Sequence, residues 1–280
     1  MPIKFLRFCL AFLLLWPFAQ AHADPAPLKF GVFPNLTTRQ IVEIYRPLAD
    51  VLEKQLHRRI VIYSARDFRT FVERTQQGEY DILLTAPHLA WLARQDAGYR
   101  PLLKYAQPTH GLLVVRADAP YRKPEDLQGR TLARADAMAV TALAVQSELA
   151  AYGLRQGIDY QVVDAGTHNN AVLQVINGRA DAAALGLHPY NLLAPDLRAQ
   201  LRVLLESPPV SSLMYLVHPR LRDADAQAIR KALLAFAETS QGLAFMQHGG
   251  YGGFAQVDGS ELRAFRPYAL QVQDLLRKSP

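Results

Sequence analysis

The stretch GTHNN at residues 166–170, with the run that continues to Tyr190, decides the fold because a similar stretch lies one hundred positions earlier. NGRAD at residues 177–181, followed by AAAL, mirrors QGEYD at residues 77–81, followed by ILLT. In each copy a glycine, Gly78 or Gly178, is placed to end a helix, because glycine tolerates the left-handed closing conformation. The short apolar run that follows is typical of a strand buried on both faces.

This repeat predicts two similar α/β lobes, because a helix packed beside a buried strand is half of a parallel α/β unit. Ligands in open α/β sheets bind outside the carboxyl ends of the strands. The loops at residues 85–88 and 186–190 follow the two predicted strands directly. We therefore expect these two loops to form opposite walls of one ligand cleft.

The first 23 residues have the pattern of a secretory signal peptide and are set apart from the fold. Lys4 and Arg7 precede an apolar run, and Ala21-His22-Ala23 forms a small-x-small cleavage site. Pro17 interrupts the run before it reaches the roughly 20 apolar residues that a membrane-spanning helix needs. Cys9 is the only cysteine and lies inside this segment, so we expect an exported mature chain without disulfides or cysteine metal sites.

Length and composition favour a globular protein of two lobes. A chain of 280 residues suits two domains of about 100 to 150 residues, and half of its residues are apolar. The 31 Lys and Arg residues outnumber the 25 Asp and Glu residues, but they are scattered singly along the chain. Because a nucleic-acid surface needs clustered basic residues, we expect no nucleic-acid partner.

The order of the predicted elements makes the chain cross between the lobes twice. An apolar run at residues 112–116 leads into a polar, proline-containing segment, and residues 213–217 form the return. We predict a first lobe built from residues 24–115 and 210–280, and a second lobe built from residues 116–209. Small dihedral changes in two such crossing segments close the lobes around a ligand, as in hinge proteins.

Five motifs of the mature chain occur in the order and spacing of a known family. They are GVFP at residues 31–34, YRPLADVLE at 45–53, GEYDI at 78–82, GTH at 166–168 and NGRAD at 177–181. The set resembles the phosphate/phosphite/phosphonate-type substrate-binding proteins of ABC importers. The resemblance implies an α/β fold of the type II periplasmic binding protein class, with two α/β lobes joined by a two-segment hinge. It also implies a periplasmic receptor that hands a small ligand to an ABC permease in the inner membrane, without catalysis or cofactors.

The resemblance carries the ligand contacts of the family over to Tyr45, to Thr85-Ala86-Pro87 and to His168. Each of these contacts has a simpler structural alternative. Tyr45 would pack against its own helix, Thr85 would only cap the helix that follows it, and His168 would be a surface residue.

Three further candidate ligand contacts near the loops are Thr167, His88 and His188. Thr167 and His168 open a helical run, where free amide hydrogens and the helix dipole favour an anionic group, although Thr167 has the alternative of a simple cap. His88 and His188 hold equivalent positions in the two copies, so their imidazoles could face a ligand across the cleft. The alternative for each is an exposed residue at a helix start. No further ligand at metal-binding spacing accompanies them, so we predict no metal site.

The segment DAMAVT at residues 136–141 departs from the family pattern. Phosphonate binders of the family carry a Ser/Thr cluster at the start of this second-lobe helix. Here only Thr141 keeps a hydroxyl, and Asp136 adds a negative charge. Because a phosphonate needs several oriented donors, the ligand does not follow from the resemblance, which by itself implies a phosphate-like or phosphonate-like compound. We expect Asp136 and Thr141 to contact a small anionic or zwitterionic ligand.

The chain carries no signature of a common enzyme class. It has no G-x-S-x-G elbow, Walker loop or HExxH motif, and no pair of acidic residues has a spacing that commits it to acid/base work. The alternative to an importer is a ligand-sensing periplasmic protein that signals to a membrane-bound kinase. A neighbouring permease and ATPase, or a neighbouring kinase, would distinguish these two roles.

Overall fold

A computed structural model of the protein describes residues 26–278. The predicted signal peptide, residues 1–23, lies outside them. The strands are β1 Leu28–Val32, β2 Ile60–Tyr63, β3 Ile82–Thr85, β4 Arg100–Tyr105, β5 Gly111–Arg116, β6 Thr131–Arg134, β7 Gln161–Asp164, β8 Ala182–Gly186, β9 Leu201–Glu206, β10 Met214–Val217 and β11 Phe254–Ala255. The helices are α1 Thr38–Leu56, α2 Phe68–Gln76, α3 Pro87–Ala97, α4 Val140–Ala151, α5 His168–Ile176, α6 Leu187–Asn191, α7 Pro195–Arg198, α8 Asp223–Ala237, α9 Ser240–Gly249, α10 Gly259–Ala264 and α11 Arg266–Lys278.

The strands form two mixed sheets, one in each lobe. The first has the order β11-β4-β10-β3-β1-β2, and the second has the order β7-β6-β8-β5-β9. In the first sheet β1 runs parallel to β2 and β3, and β10 runs antiparallel to β3 and β4. In the second sheet β6 runs parallel to β7 and β8, and β5 runs antiparallel to β8 and β9. Each lobe is thus built around three parallel strands with one antiparallel strand beside them.

The hundred-residue sequence repeat is also a repeat of structure. Helix α2, strand β3 and helix α3 of the first lobe correspond to α5, β8 and α6 of the second. Gly78 and Gly178 have φ angles of 69° and 67°, the left-handed conformation that the sequence predicts after each helix. Strands β3 and β8 are buried along their whole length, as their unbroken apolar runs predict.

Strand pairing places the first crossing earlier than the sequence suggests. The predicted boundary between residues 115 and 116 falls inside β5, and all of β5 belongs to the second sheet. The chain therefore crosses at residues 106–110 and returns at 207–213, where Thr109 and Val210 pair as an isolated antiparallel bridge. An apolar strand has the same sequence pattern in either sheet, so the pattern alone does not say which lobe holds it.

The last part of the chain returns to the first lobe. Helices α10 and α11 pack against α3, and α8 packs against α1. The first lobe is therefore built from both ends of the described chain. Within residues 26–278, no helix is both long enough and apolar enough to cross a membrane.

The two lobes are in contact across the cleft. One continuous cluster of buried apolar residues contains Phe33 and Phe68 from the first lobe and Met138 and Val140 from the second. The His168 amide at the start of α5 donates to the Asn35 carbonyl oxygen of the first lobe at 3.3 Å. The structure is therefore a closed form of the hinge.

Asp81 and Asp181 are structural links at equivalent places in the two lobes. Asp81 Oδ2 accepts from the Lys29 amide of β1 at 2.7 Å, and Asp181 Oδ2 accepts from the Thr131 amide of β6 at 2.9 Å. Asp81 also accepts from Arg220 Nε at 2.6 Å, and Asp181 from the Tyr121 hydroxyl. Each carboxylate ties the start of one parallel strand to the loop before its neighbour.

Replacing Asp181 with Ala is expected to lower the free energy of unfolding by about 1 to 3 kcal/mol, because it leaves a partly buried strand amide without its acceptor. Urea unfolding measures the change. Asp118→Ala is the matched control: its carboxylate is exposed and pairs with the exposed Arg116, so the loss should stay below about 1 kcal/mol. Equal losses in the two variants would contradict the structural role of Asp181.

Candidate functional site

A cavity of about 40 Å³ lies between the two lobes at the carboxyl ends of β3 and β8. It has room for a group of a few non-hydrogen atoms, since one water needs roughly 10 to 15 Å³. Both lobes and both crossing segments contribute to its wall. The lining residues are Phe33, Asn35, Ala86, Pro87, Thr109, Ala139, Val140, Thr141, His168, Gly186, His188, Pro189, Leu192, Ser211, Leu213 and Tyr251.

Helices from both lobes begin at this cavity. The residues that precede α3 and α4, Ala86 and Ala139, line it, and neither has a side chain that caps its helix. Thr167 does cap α5, because its hydroxyl oxygen accepts from the Asn170 amide at 3.1 Å. An uncapped helix start leaves amide hydrogens free and carries a partial positive charge. Pro87, the first residue of α3, has no amide hydrogen, so α4 offers the larger share of this potential.

His168 is a buried side chain at the start of α5 with an unused ring nitrogen. It lines the cavity, and its Nδ1 atom is buried without a hydrogen-bond partner. Burial lowers the pKa of His168 from its ordinary value of 6.5 to about 4, so the ring is neutral at physiological pH. Thr109 Oγ1, in the first crossing segment, is likewise buried without a partner and lines the cavity. Unpaired buried polar atoms are costly, so these two mark where a ligand would be stabilising.

His88 and His188 each join the two lobes through a hydrogen bond to a backbone carbonyl. His88 Nε2 of α3 donates to the Met138 oxygen of the second lobe at 2.8 Å. His188 Nδ1 of α6 donates to the Gly249 oxygen of the first lobe at 3.0 Å. Because carbonyl oxygens only accept, these bonds fix which nitrogen carries the proton in each ring. His188 Nε2 is then free to accept from the Ser212 hydroxyl at 2.8 Å.

The glycine-rich stretch HGGYGG at residues 248–253, which contains the end of α9 and the loop after it, brings an aromatic ring to the cavity. Tyr251 lines the cavity, and its ring centroid lies 4.9 Å from that of His188 and 3.9 Å from that of Tyr105. A Cβ atom on Gly249 would lie 2.1 Å from the Tyr251 ring, and Gly250 has a φ of 67°. Only glycine fits both positions, which explains the composition of this loop.

Five of the ten residues predicted for the site line the cavity: Ala86, Pro87, Thr141, His168 and His188. The other five lie outside its lining. Thr167 caps α5, and His88 bonds to Met138. Thr85 is buried at the end of β3, and its hydroxyl has no partner. Tyr45 is buried in the core of the first lobe, packed edge-on against Phe30 and Phe245, and burial raises the pKa of its hydroxyl.

Asp136, the fifth of these, shapes a turn instead of facing the cavity. Its Oδ1 atom accepts from the Met138 amide at 2.7 Å, immediately before α4. Burial raises the pKa of this carboxyl, and the bond from Met138 opposes that shift. The segment 136–141 therefore meets the cavity through residues 139–141, while the charge of Asp136 is held within its own turn.

Several lining residues have no functional signal in the sequence. Phe33, Val140, Leu192 and Leu213 have the same apolar character as core residues. Thr109 and Ser211 lie in the two crossing segments, whose place in the cleft depends on the boundary that strand pairing revealed. Asn35 lies just after β1, as the predicted loops lie just after β3 and β8. This position at the carboxyl end of a parallel strand is the one sequence signal for a cavity residue among them. Within residues 26–278, no three His, Cys, Asp or Glu side chains are grouped to hold a metal ion.

Several solved structures share this architecture. The methylphosphonate complex of PhnD1 from Prochlorococcus marinus has a TM-score of 0.80 at 13% identity, covering 89% of this chain and 99% of that one. A binding protein component of an ABC phosphonate transporter from Pseudomonas aeruginosa has a TM-score of 0.78 at 17% identity, covering 89% and 87%. A chloride-bound protein from Xanthomonas citri has a TM-score of 0.69 at 21% identity, covering 90% and 100%. The fold is that of the type II periplasmic binding proteins, which confirms the predicted fold class.

The family follows from the sequence match. Residues 30–262 match the family described as "ABC transporter, phosphonate, periplasmic substrate-binding protein". The chain belongs to this family, so the resemblance drawn from its five motifs is confirmed. Its members are periplasmic binding proteins and not enzymes, in agreement with the sequence-based prediction.

The closed form is expected to open as the pH falls from neutral. Burial lowers the pKa of both His88 and His188 from 6.5 to about 4, and His110 adds to the shift at His188. Between these values a form in which the lobes separate and water reaches both histidines would bind more protons than the closed form. The stabilising contribution is therefore fully present above about pH 6.5 and is lost as the pH falls through about 4.

Small-angle scattering across this range should show an increase in the radius of gyration as the lobes separate. The double variant His88→Gln/His188→Gln retains an N–H donor at each position and removes the titration of these two side chains, leaving that of His168, so its profile should change less. His248→Gln, at an exposed position on α9, is the control and should behave as the parent. A parent profile that stays constant down to about pH 4 would contradict this linkage.

Proposed function

We propose that the protein is the periplasmic receptor of an ABC importer and that it captures a small anionic or zwitterionic ligand in the cavity between its lobes. The closed form, with ligand inside, is the species that the permease in the inner membrane would recognise. Family membership supports the receptor role. The composition and the position of the cavity support the proposed class of ligand and its place between the lobes.

One observation supports the proposal that the cavity is the ligand site. Unpaired polar atoms from different parts of the fold, His168 Nδ1 of the second lobe and Thr109 Oγ1 of the first crossing, are buried at one enclosed space. Buried polar atoms normally have partners, so a cavity that collects unpaired ones has the character of a ligand site. The uncapped start of α4 adds amide donors and a partial positive charge at the same place.

The position of the cavity couples binding to closure. Its wall contains Asn35 and Ala86 from the first lobe, and Thr141 and His168 from the second. A ligand held by both sets of residues has its full contacts only when the lobes are together. Binding therefore shifts the hinge towards the closed form by its difference in affinity for the two forms.

A thermal-shift screen tests the receptor role directly. The panel contains phosphate, phosphite, phosphonates, sulfonates, carboxylates and amino acids. A true ligand at a hundredfold excess over its dissociation constant should stabilise the protein by about 2.7 kcal/mol and raise the melting temperature accordingly. If a broad metabolite panel leaves the melting temperature unchanged, the receptor function is contradicted.

Replacing His168 with Ala is expected to raise the dissociation constant of the ligand found in the screen by about tenfold to a hundredfold, because a buried hydrogen bond to a charged group is lost. Isothermal titration calorimetry measures the change. His248→Ala removes an exposed imidazole from α9 and serves as the matched control. An affinity for His168→Ala equal to that of the control would remove His168 from the site.

A further inference from the structure

The cavity is lined without a charged side chain. Among its sixteen lining residues, all within the described part of the chain, none is Lys, Arg, Asp or Glu. Both histidines of the lining are neutral at physiological pH, because burial lowers the pKa of each to about 4. His188 also has both ring nitrogens engaged, with Gly249 and Ser212. An anion in this cavity therefore meets no full positive charge.

The positive potential that remains is partial. A helix start supplies roughly half an elementary charge, and α4 begins at the cavity without a side-chain cap. At the start of α5, the His168 amide is occupied by the Asn35 carbonyl in the closed form. The hydroxyls of Thr109 and Thr141 add neutral donors. This set is adequate for one negative charge, whereas a second charge would be buried without compensation.

Most of the remaining wall is apolar; Asn35, Ser211 and Tyr251 also line it, and the Ser211 hydroxyl donates to Glu261. Phe33 and Leu213 from the first-lobe side and Val140 and Leu192 from the second-lobe side line the same small space. These four side chains favour an apolar substituent and provide no hydrogen-bond donor for the oxygen atoms of a fully polar ion such as phosphate. Ala139 and Val140, at the start of α4, are the positions where an additional hydroxyl would face the ligand.

We infer that the cleft selects a small ligand that carries at most one negative charge together with an apolar substituent, and that it discriminates against doubly charged phosphonates and phosphates. This inference rests on the proposed function, because it describes the ligand class of that same cavity. The selecting features are the absence of a cation among the lining residues and the apolar start of α4.

A series matched in shape and graded in charge tests the inference. Methylphosphonate, methanesulfonate and dimethyl sulfone are tetrahedral and of equal size, and at alkaline pH they carry two, one and no negative charges. Calorimetry on the full mature chain, repeated with the corresponding propyl compounds, gives the order of affinities. We expect the sulfonate to bind at least about tenfold more tightly than the phosphonate, because the second charge is buried unpaired.

A variant of the α4 start tests the mechanism of discrimination. Val140→Thr keeps the branched shape and adds one hydroxyl, so the dissociation constant for methylphosphonate should fall by about tenfold while that for methanesulfonate changes less. Ala137→Ser adds the same group to the same turn outside the cavity lining and should leave both constants unchanged.

The possible outcomes distinguish a failure of this inference from a failure of the proposed receptor function. If a doubly charged compound binds most tightly in either series or in the broad panel, the inference is overturned and the receptor function stands. If no compound in the series or the panel binds, the receptor function fails and the inference fails with it. Tightest binding by a singly charged or neutral compound, with a selective response in Val140→Thr, supports the inference.

Discussion

The hydrogen bonds that His88 and His188 make across the cleft are the interaction on which the site depends. A fully buried imidazole is stable only when neutral, so each ring has one N–H to donate. His88 donates it to the carbonyl of Met138, and His188 to the carbonyl of Gly249. Met138 precedes the start of α4, and Gly249 precedes Tyr251, so the two bonds hold both segments against the cavity. The cavity wall is complete only when these contacts are formed.

Much of the fold could be predicted from the sequence, because the same pattern of helix, glycine and apolar strand occurs twice, one hundred residues apart. Gly78 and Gly178 end equivalent helices, and the runs after them are buried strands. The assignment of β5 was wrong for a physical reason. A fully buried apolar strand satisfies either sheet equally well, and its place is decided by pairing with β8 and β9, which lie far along the chain.

The site was predictable only in part, because its residues are of two kinds. His168 and Thr141 lie at helix starts where polar groups have a recognisable purpose, and the sequence points to both. Val140 and Leu213 are apolar residues whose sequence pattern is that of core, and they reach the cavity only because the lobes meet there. Tyr45 is the opposite case. The sequence suggests it as a ligand contact, but its ring packs against Phe30 and Phe245 in the first-lobe core.

The turn before α4 contributes both to the contacts between the lobes and to the cavity wall, but through different groups. The Met138 amide is held by the Asp136 carboxylate, and the Met138 carbonyl accepts from His88, so this residue serves closure through its backbone. The next residues, Ala139 to Thr141, line the cavity. Side chains at these positions can therefore change without disturbing the bonds that join the lobes. The contacts that join the lobes here are therefore made by backbone atoms of Met138, while residues 139–141 at the start of α4 line the cavity.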